Sequence, residues 1–301
     1  MSISDKQVEE VAYRLMCKAA TELPSGMRKA LEDAYNKEDN PVAKGHLSAI
    51  LKSSEISRKN KVPLCQDTGI PLFFVDLGTR CVLDGNFNEA LTNAVKRATA
   101  DVPLRHNVTH PITHVNTDTN TGYRIPPVYV DLLDGKDYVE ITAVTKGLGS
   151  EARTTESMVL ASEDTEKAIK KCVLDEVRMV MGDPCPPVII GVGVGGVADF
   201  NLKLAKRALF REPIGSHNPD PEIARLETEL LEAINSLGIG PMGFGGSTYA
   251  IAVNIEIAGK HTGVTPVGVT LQCWAHRYSK ARIYNNGTVE FLTHHLGGEE
   301  E

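Results

Sequence analysis

Residues 62–69 bring several reactive side-chain types together in one short stretch. The segment reads V-P-L-C-Q-D-T-G, so a thiol, an amide, a carboxylate and a hydroxyl follow one another between a proline and Gly69. An apolar run follows at once over 70–75. Loops that hold polar groups against an apolar flank often carry function. We therefore predict a functional loop that contains Cys65, Gln66 and Asp67.

Two further cysteines lie in similar settings. Cys185 stands in D-P-C-P-P and Cys273 in L-Q-C-W-A-H-R, each beside a proline, a turn or a strand end. Backbone amides in such loops can stabilise a thiolate. The other three cysteines, at 17, 81 and 172, follow helix or strand patterns and are interpreted as small core residues. No C-x-x-C pair occurs, which argues against a zinc ribbon or a thioredoxin-type motif.

The loop cysteines suggest a metal centre built from distant parts of the chain. Three thiolates can hold an iron–sulfur cluster and leave one iron open, and an open position is typical of a catalytic metal site. Such an iron can act as a Lewis acid toward a substrate hydroxyl and carboxylate. From the residues alone, a set of unrelated buried thiols remains the alternative.

Residues 104–121 form an unusual polar run that follows a predicted helix. Its three histidines are spaced by four residues, but Pro111 between them argues against a helical metal-binding face. Arg105 is either a solvated charge or a group that grips a carboxylate through two parallel hydrogen bonds. Farther on, Gly147 and Gly149 form a loop in which backbone amides can approach an anion closely.

Composition and charge exclude several functional classes. The chain has 301 residues, 42% of them hydrophobic, and a formal charge of -7, which argues against a nucleic-acid-binding surface. No run of eighteen apolar residues suggests a membrane span, and the first residues lack the pattern of a secretory signal. We therefore expect a cytoplasmic protein that binds neither nucleic acid nor membrane. Any acidic substrate must be met by local cationic side chains.

Hydrophobic periodicity predicts a mixed α/β (α+β) fold. Helical spacing over 4–22, 26–37 and from Pro41 onward indicates a helical N-terminal layer, which we expect to pack on mixed sheets. Strand and helix patterns then alternate, and the alternation over 138–145 predicts a half-buried strand. We expect one domain over 1–292, with the helical layer at 1–61, the cluster-binding part at 62–292, and a polar tail at 293–301.

Residues 184–196 offer an alternative of another functional class. A strand pattern there carries Gly191, Gly193 and Gly196 in G-x-G-x-x-G spacing before a helix, which is the pattern of a dinucleotide-binding turn in an NAD-dependent oxidoreductase. The following segment, however, reads as a loop and then a second helix, and no acidic residue follows at the expected distance. We therefore expect that no βαβ unit closes here.

Five motifs together identify a family. The chain carries C-Q-D-T-G from Cys65, L-R-H-N from Leu104, C-P-P-V from Cys185, R-E-P-I-G-S from Arg211 and Q-C-W-A-H-R from Gln272. Over nearly its whole length it resembles the α subunit of class I iron–sulfur hydro-lyases, the group of fumarate hydratase and L(+)-tartrate dehydratase. The resemblance implies the fold of the class I fumarase N-terminal domain. It also implies that Cys65, Cys185 and Cys273 bind a [4Fe–4S] cluster.

The same resemblance implies roles for further residues. Gln66, Asp67 and Arg105 are expected to face a small dicarboxylate substrate, and His261 to be an active-site histidine that shares proton handling with Asp67. In the family the glycine loop usually reads K-G-G-G, whereas this chain has leucine at 148 between Gly147 and Gly149. Those two glycines are still expected to keep the loop open for substrate binding.

The resemblance also implies a partner and a reaction. Single-chain members of the family continue into a second domain, so this chain is expected to require a β subunit that completes the pocket. We expect an α2β2 assembly built on an α–α contact. The expected reaction is reversible hydration of fumarate to malate, and dehydration of L(+)-tartrate is the close alternative because the two activities share these α-subunit motifs.

Overall fold

The computed structural model describes residues 2–294 of the chain. Its helices are α1 (Asp5–Thr21), α2 (Ser25–Lys37), α3 (Pro41–Asn60), α4 (Phe87–Asp101), α5 (Leu148–Glu151), α6 (Thr165–Val180), α7 (Ala198–Ala208) and α8 (Pro221–Asn235). Its strands are β1 (Ile3–Ser4), β2 (Ile70–Gly78), β3 (Leu83–Asp84), β4 (Val128–Leu133), β5 (Tyr138–Lys146), β6 (Thr155–Leu160), β7 (Val188–Val194), β8 (Ala250–Ile257), β9 (Val264–Gln272), β10 (Tyr278–Tyr284) and β11 (Val289–Phe291). These elements confirm the predicted mixed α/β class.

The chain divides into two compact units. The first takes the residues up to Ser25, then Lys52–Gly147, then those from Ala275 onward, and the second takes Gly26–Leu51 and Leu148–Trp274. The single domain predicted over 1–292, with its division at 61, stays a prediction. The predicted polar tail lies outside the described residues from position 295 onward. Among residues 2–294, no helix is both long enough and apolar enough to cross a bilayer.

The first unit contains a five-stranded sheet in the order β11-β10-β5-β2-β4. Helices α1 and α4 pack with strands of this sheet in one apolar core. Helix α1 forms where the sequence predicts it, since Val8, Val11 and Leu15 recur at helical spacing and are buried. Ser4 caps it, because the Ser4 hydroxyl accepts the Gln7 amide at 3.3 Å.

Strand β5 differs from its predicted half-buried character. It lies in the middle of the sheet, antiparallel to both β10 and β2, and its residues from Val139 onward are buried on both faces. Glu140 tolerates this position because Arg282 on β10 donates to its carboxylate at 2.7 Å. The prediction was wrong because the alternating pattern does not reveal which elements cover the second face.

The second unit contains a four-stranded sheet in the order β6-β9-β7-β8. Helices α6 and α8 share an apolar core with its strands. Both helices begin at an aspartate cap, with Asp164 accepting from the Lys167 amide and Asp220 from the Glu222 amide. These caps satisfy amides that the first turn of a helix leaves unbonded.

The expectation that no βαβ unit closes after the glycine-rich segment was wrong. Strands β7 and β8 are parallel neighbours, and α7 and α8 together make the crossover between them. The sequence pattern obscured this because a long loop and a second helix separate α7 from β8. The parallel pair therefore exists, but its connection is longer than that of a dinucleotide-binding unit.

The glycines of this segment have a packing role. Gly191 and Gly193 lie inside β7. A Cβ on Gly191 would come within 2.1 Å of the Ala205 carbonyl oxygen, and a Cβ on Gly193 within 2.3 Å of the Asn201 carbonyl oxygen. Helix α7 can therefore approach the strand only because these residues lack side chains. Two of the three glycines that suggested NAD binding are thus explained by helix–strand packing.

Alanine at Gly193 is expected to lower the free energy of unfolding by about 1 to 3 kcal/mol, since backbone must move to admit the methyl group. Gly45 provides the matched control, because it lies inside α3 with no atom within 4 Å of the position that a Cβ would take. Alanine at Gly45 should instead stabilise by about 0.5 to 1 kcal/mol. Urea unfolding of both variants checks the prediction, which fails if the two alanines have equal effects.

The Arg211 motif fixes the loop that leads into α8. The Arg211 guanidinium donates to Glu227 at 2.6 Å and to Glu256 at 2.7 Å. The Glu227 carboxylate is buried and also accepts the backbone amides of Ile255 and Asn218. A buried carboxylate is tolerated when it is paired and hydrogen-bonded in this way. This family motif therefore stabilises the second unit.

Candidate active site

The Cys65 loop is held at both ends within the first unit. The Leu64 amide donates to the Ala20 carbonyl oxygen at 2.9 Å, which ties the loop to the end of α1. Gly69 has a φ of 83° and lies so close to β5 that a Cβ would be 2.8 Å from the Lys146 backbone. Only glycine combines this conformation with this approach. The loop is therefore anchored on both sides of Cys65.

Asn107 braces the carboxylate of Asp67. Its side-chain amide donates to Asp67 Oδ1 at 3.2 Å and to the Gly69 carbonyl oxygen at 3.2 Å, while the Gly69 amide donates to the same Asp67 oxygen at 3.0 Å. Asp67 is thus oriented by two donors. The sequence prediction did not include Asn107, although it is the last residue of the L-R-H-N motif.

Arg105 opens onto a cavity beside the Cys65 loop. Its carbonyl oxygen accepts from Thr68 Oγ1 at 3.2 Å and from Asn120 Nδ2 at 3.1 Å, so its backbone is fixed, while the side chain is exposed. The cavity has a volume of about 490 Å³ and is lined by Pro63, Cys65, Gln66, Thr68, Pro103 and Arg105. The structure thus brings together three of the predicted site residues. A thiol, an amide and a guanidinium here suit an anionic ligand.

The polar run is not helical, as its proline predicts. His106 lies 3.3 Å from Asp118, and the His110 ring accepts backbone amides of its own turn. The buried Asn120 side chain accepts the Asn107 amide at 2.7 Å and so fixes the segment from within. These histidines therefore organise local turns.

A buried group of basic residues lies behind the loop. Lys146, His276 and Arg277 are each at most 3% exposed. Burial, and to a smaller extent the nearby Lys146, lowers the pKa of His276 to about 3, so its ring is neutral at physiological pH. Arg277 donates to the Asp67 carbonyl oxygen. Sequence reasoning did not assign Arg277 a role, although the residue ends the Q-C-W-A-H-R motif.

Gly147 lies between this basic group and Asp67. A Cβ on Gly147 would be 2.6 Å from Arg277 Nη2 and 3.0 Å from Asp67 Oδ2. The next two loop residues belong to the second unit, where a Cβ on Gly149 would be 2.7 Å from the Asp183 carbonyl oxygen. The side chain of Leu148 is 73% exposed, so the departure from the family pattern is accommodated.

Two cysteine loops meet in the second unit. The Trp274 amide donates to the Cys185 carbonyl oxygen at 3.2 Å, which brings the segment after β9 against the segment before β7. Both Cys185 and Cys273 are half-buried thiols. Cys185 has a φ of 55° and so occupies a left-handed conformation, uncommon for a residue with a side chain. Unusual conformations of this kind concentrate at functional sites.

Gln272 supports the presence of a bound group at this place. It precedes Cys273 and is fully buried, and neither polar atom of its side chain has a hydrogen-bond partner among the described residues. A buried amide usually finds such partners, and groups next to metal ligands often donate to the metal centre. Two thiols on loops that are hydrogen-bonded to each other, together with this amide, are a donor set that fits an iron–sulfur centre.

His261 lies at the other end of the same sheet. It is exposed in the turn between β8 and β9, whereas Cys185 and Cys273 flank the start of β7 and the end of β9. At about 3.3 Å per residue, the seven residues of β7 separate these two ends by roughly 20 Å. The second unit therefore does not bring His261 to the two cysteines.

The remaining cysteines pack against the two cores, although one of them does not lie in the strand predicted for it. Cys17 and Cys81 pack against the core of the first unit, and Cys172 against that of the second. Cys81 lies between β2 and β3 and not in a strand.

Among residues 2–294, no group of three or more His, Cys, Asp or Glu side chains could hold a single metal ion. A cluster is different, because its thiolates bind separate irons. That Cys65, Cys185 and Cys273 share one cluster stays a prediction.

Comparison with known proteins identifies the family. The model of the fumarate hydratase (Fumerase) family matches residues 9–282. A Methanocaldococcus jannaschii protein with the provisional name L(+)-tartrate dehydratase subunit alpha is 45% identical over 280 residues, which cover 92% of this chain and 98% of the relative. The L(+)-tartrate dehydratase alpha subunits of Escherichia coli K12 and Shigella boydii serotype 4 are 33% identical over 299 residues, or 98% of each chain. The chain therefore belongs to the fumarate hydratase (Fumerase) family of hydro-lyases.

Proposed function

We propose that this chain is the α subunit of a [4Fe–4S] hydro-lyase that reversibly hydrates fumarate to (S)-malate. The observation that carries the proposal is the cavity of about 490 Å³ that Cys65, Gln66 and Arg105 share on the loop that also carries the braced carboxylate of Asp67. A cation that can grip a carboxylate thus lies beside a thiol, and the same loop carries a group that can handle a proton.

The cluster would be held by Cys65, Cys185 and Cys273. The hydrogen bond between the loops of Cys185 and Cys273 and the buried amide of Gln272 support this donor set. When bound, the cluster supplies an iron that acts as a Lewis acid toward a substrate oxygen. The thiols that pack in the two cores, at 17, 81 and 172, are not part of the set.

The chain's own residues would bind and orient the substrate. Because the net charge is -7, attraction for a dicarboxylate must be local, and the exposed guanidinium of Arg105 supplies it. Gln66 would donate or accept a hydrogen bond at the same wall of the cavity. Gly147 and Gly149 would present backbone amides to a carboxylate, as the family resemblance implies.

Asp67 and His261 would handle protons. Asp67 is suited to this because two donors fix one of its oxygens, so the carboxylate is presented in one orientation. His261 cannot reach the cysteines of its own second unit across the length of β7. We therefore propose that His261 serves the pocket of a second α chain, which accords with an α2β2 assembly built on an α–α contact.

A β subunit would complete the enzyme. The relatives named above are called alpha subunits, which supports a requirement for a second kind of chain. The cavity beside Cys65 is open and so has room for groups from such a partner. We propose that the complex acts in the cytoplasm on a small dicarboxylate and binds neither nucleic acid nor membrane.

The substrate is tested by comparing rates on fumarate and L(+)-tartrate. The α chain is purified anaerobically together with its β partner, and initial rates on both compounds are measured with the same preparation. We expect the larger kcat/KM with fumarate. The opposite ranking would favour L(+)-tartrate dehydratase, which the names of the relatives support as the second candidate.

The NAD-dependent alternative is tested with the same preparation. Since Gly191 and Gly193 are occupied by the packing of α7, we expect no saturable binding of NADH. Calorimetric titration of the complex with NADH measures this directly. Saturable binding of NADH would favour a dinucleotide site at the glycine segment 191–196.

A further inference from the structure

Arg277 is a buried cation to which the proposed reaction gives no role. It is 2% exposed, in the segment that leads into β10 of the first unit. A guanidinium is costly to bury unless its N–H groups are bonded and its charge is compensated. The groups that bond the Arg277 guanidinium or lie near it therefore indicate the role of this residue.

Those contacts converge on Asp67. Arg277 donates through Nη1 to the Asp67 carbonyl oxygen, although the two residues are 210 positions apart. The surroundings of Gly147 show that the guanidinium and the Asp67 carboxylate both lie close to the same glycine. Arg277 therefore touches the backbone of Asp67 and lies close to its side chain.

The Arg277 side chain also presents a remaining donor. Within the described residues, its Nε is buried and has no hydrogen-bond partner. Its Nη2 faces Gly147, where a methyl group would approach it to 2.6 Å. The fork geometry of a guanidinium lets it contact the Cys65 loop and the Gly147 loop at once, which the single ammonium of lysine cannot reproduce.

We propose that Arg277 is a positioning residue that clamps the Asp67 backbone and so sets the orientation of the Asp67 carboxylate toward the substrate. The effect of this clamp on catalysis rests on the proposed function, whereas the contact between Arg277 and Asp67 is a feature of the fold. Arg277 acts through Asp67, whose carboxylate Asn107 braces independently. Gly147 is required to be small because both charged groups lie against it.

A double-mutant cycle tests the coupling. The forms Arg277→Lys, Asp67→Glu and the double variant are each purified with the β partner, and kcat, KM, iron and acid-labile sulfide are measured. Misplacing a catalytic group by about 1 Å can cost a hundredfold in rate, so we expect Arg277→Lys to lower kcat by roughly ten- to a hundredfold. We expect the KM and the iron content to stay near those of the unmodified complex.

In the Asp67→Glu background the carboxylate is already displaced. Arg277→Lys should therefore lower kcat there by less than about threefold, because coupled residues are not additive. A full additive loss would overturn the inference, as would a parallel loss of iron. Arg282→Lys is the matched control, since Arg282 is an ion-paired arginine of β10 that bonds Glu140 and not the Cys65 loop, and lysine keeps the charge opposite Glu140.

Hydrogen exchange gives a readout that does not depend on activity. We expect Arg277→Lys to raise amide exchange across residues 62–69 by at least about tenfold, whereas Arg282→Lys leaves that segment unchanged. Unchanged exchange over 62–69 in Arg277→Lys would overturn the clamp. A complex without activity toward fumarate or tartrate that nevertheless shows the exchange effect would overturn the proposed function and leave the clamp in place.

Discussion

Serine at Cys185 or Cys273 is expected to remove iron and acid-labile sulfide from the complex and to lower the hydration rate to below about one hundredth of its starting value. The two loops are hydrogen-bonded to each other, so both thiols belong to one place in the second unit. Serine retains the size of cysteine but lacks the thiolate that binds iron in clusters. Loss of either ligand should therefore remove the centre.

Cys172 provides a matched control in the same unit. It is a half-buried thiol that packs against the core from α6, and serine there should leave the iron content and the rate near those of the unmodified complex. Iron, sulfide and the visible absorption of anaerobically purified protein measure the outcome. Full iron content and normal turnover in Cys273→Ser would show that the ligand assignment is wrong.

Mixing two inactive α chains is expected to restore activity. If His261 serves the pocket of a second α chain, a complex with one His261→Ala chain and one Cys273→Ser chain contains one pocket with both intact groups. Such a mixed assembly should show about half the activity of the unmodified complex, because one of its two symmetry-related sites is complete. The separation of roughly 20 Å along β7 is the physical reason for the prediction.

Differently tagged α chains allow this to be measured. Both variants are expressed together with the β partner, and sequential purification on the two tags isolates the mixed complex. The complexes that contain only one variant are the controls, and each is expected to be inactive. A mixed complex as inactive as these controls would mean that His261 acts within its own chain, and an active His261→Ala control would remove His261 from the site.

Local signals in the sequence were sufficient for most secondary structure. Helices α1, α6 and α8 follow from apolar residues at helical spacing and from capping residues, and both signals depend only on neighbours within a few positions. The chemistry-bearing loop at Cys65 was also recognisable, because its polar groups are adjacent in the chain. Family membership followed from five short motifs.

Contacts between elements that are distant in the sequence could not be predicted from such local signals. Strand β5 has the alternating pattern of a half-buried strand, but β2 and β10 enclose it on both edges and the rest of the unit covers both faces. Gly191 and Gly193 match a dinucleotide-binding pattern, although their contacts are with α7. In each case the deciding neighbour comes from another element of the fold.

The amino-acid sequence by itself determined the family, the mixed α/β class, the helices and the candidate thiols, since composition, periodicity and short motifs are properties of neighbouring residues. Only the tertiary structure decided that Arg277 contacts Asp67 across 210 positions, that the loops of Cys185 and Cys273 meet, and that His261 lies at the far end of their sheet. The physical reason is that sheet register and loop anchoring bring together residues whose separation along the chain carries no local signal.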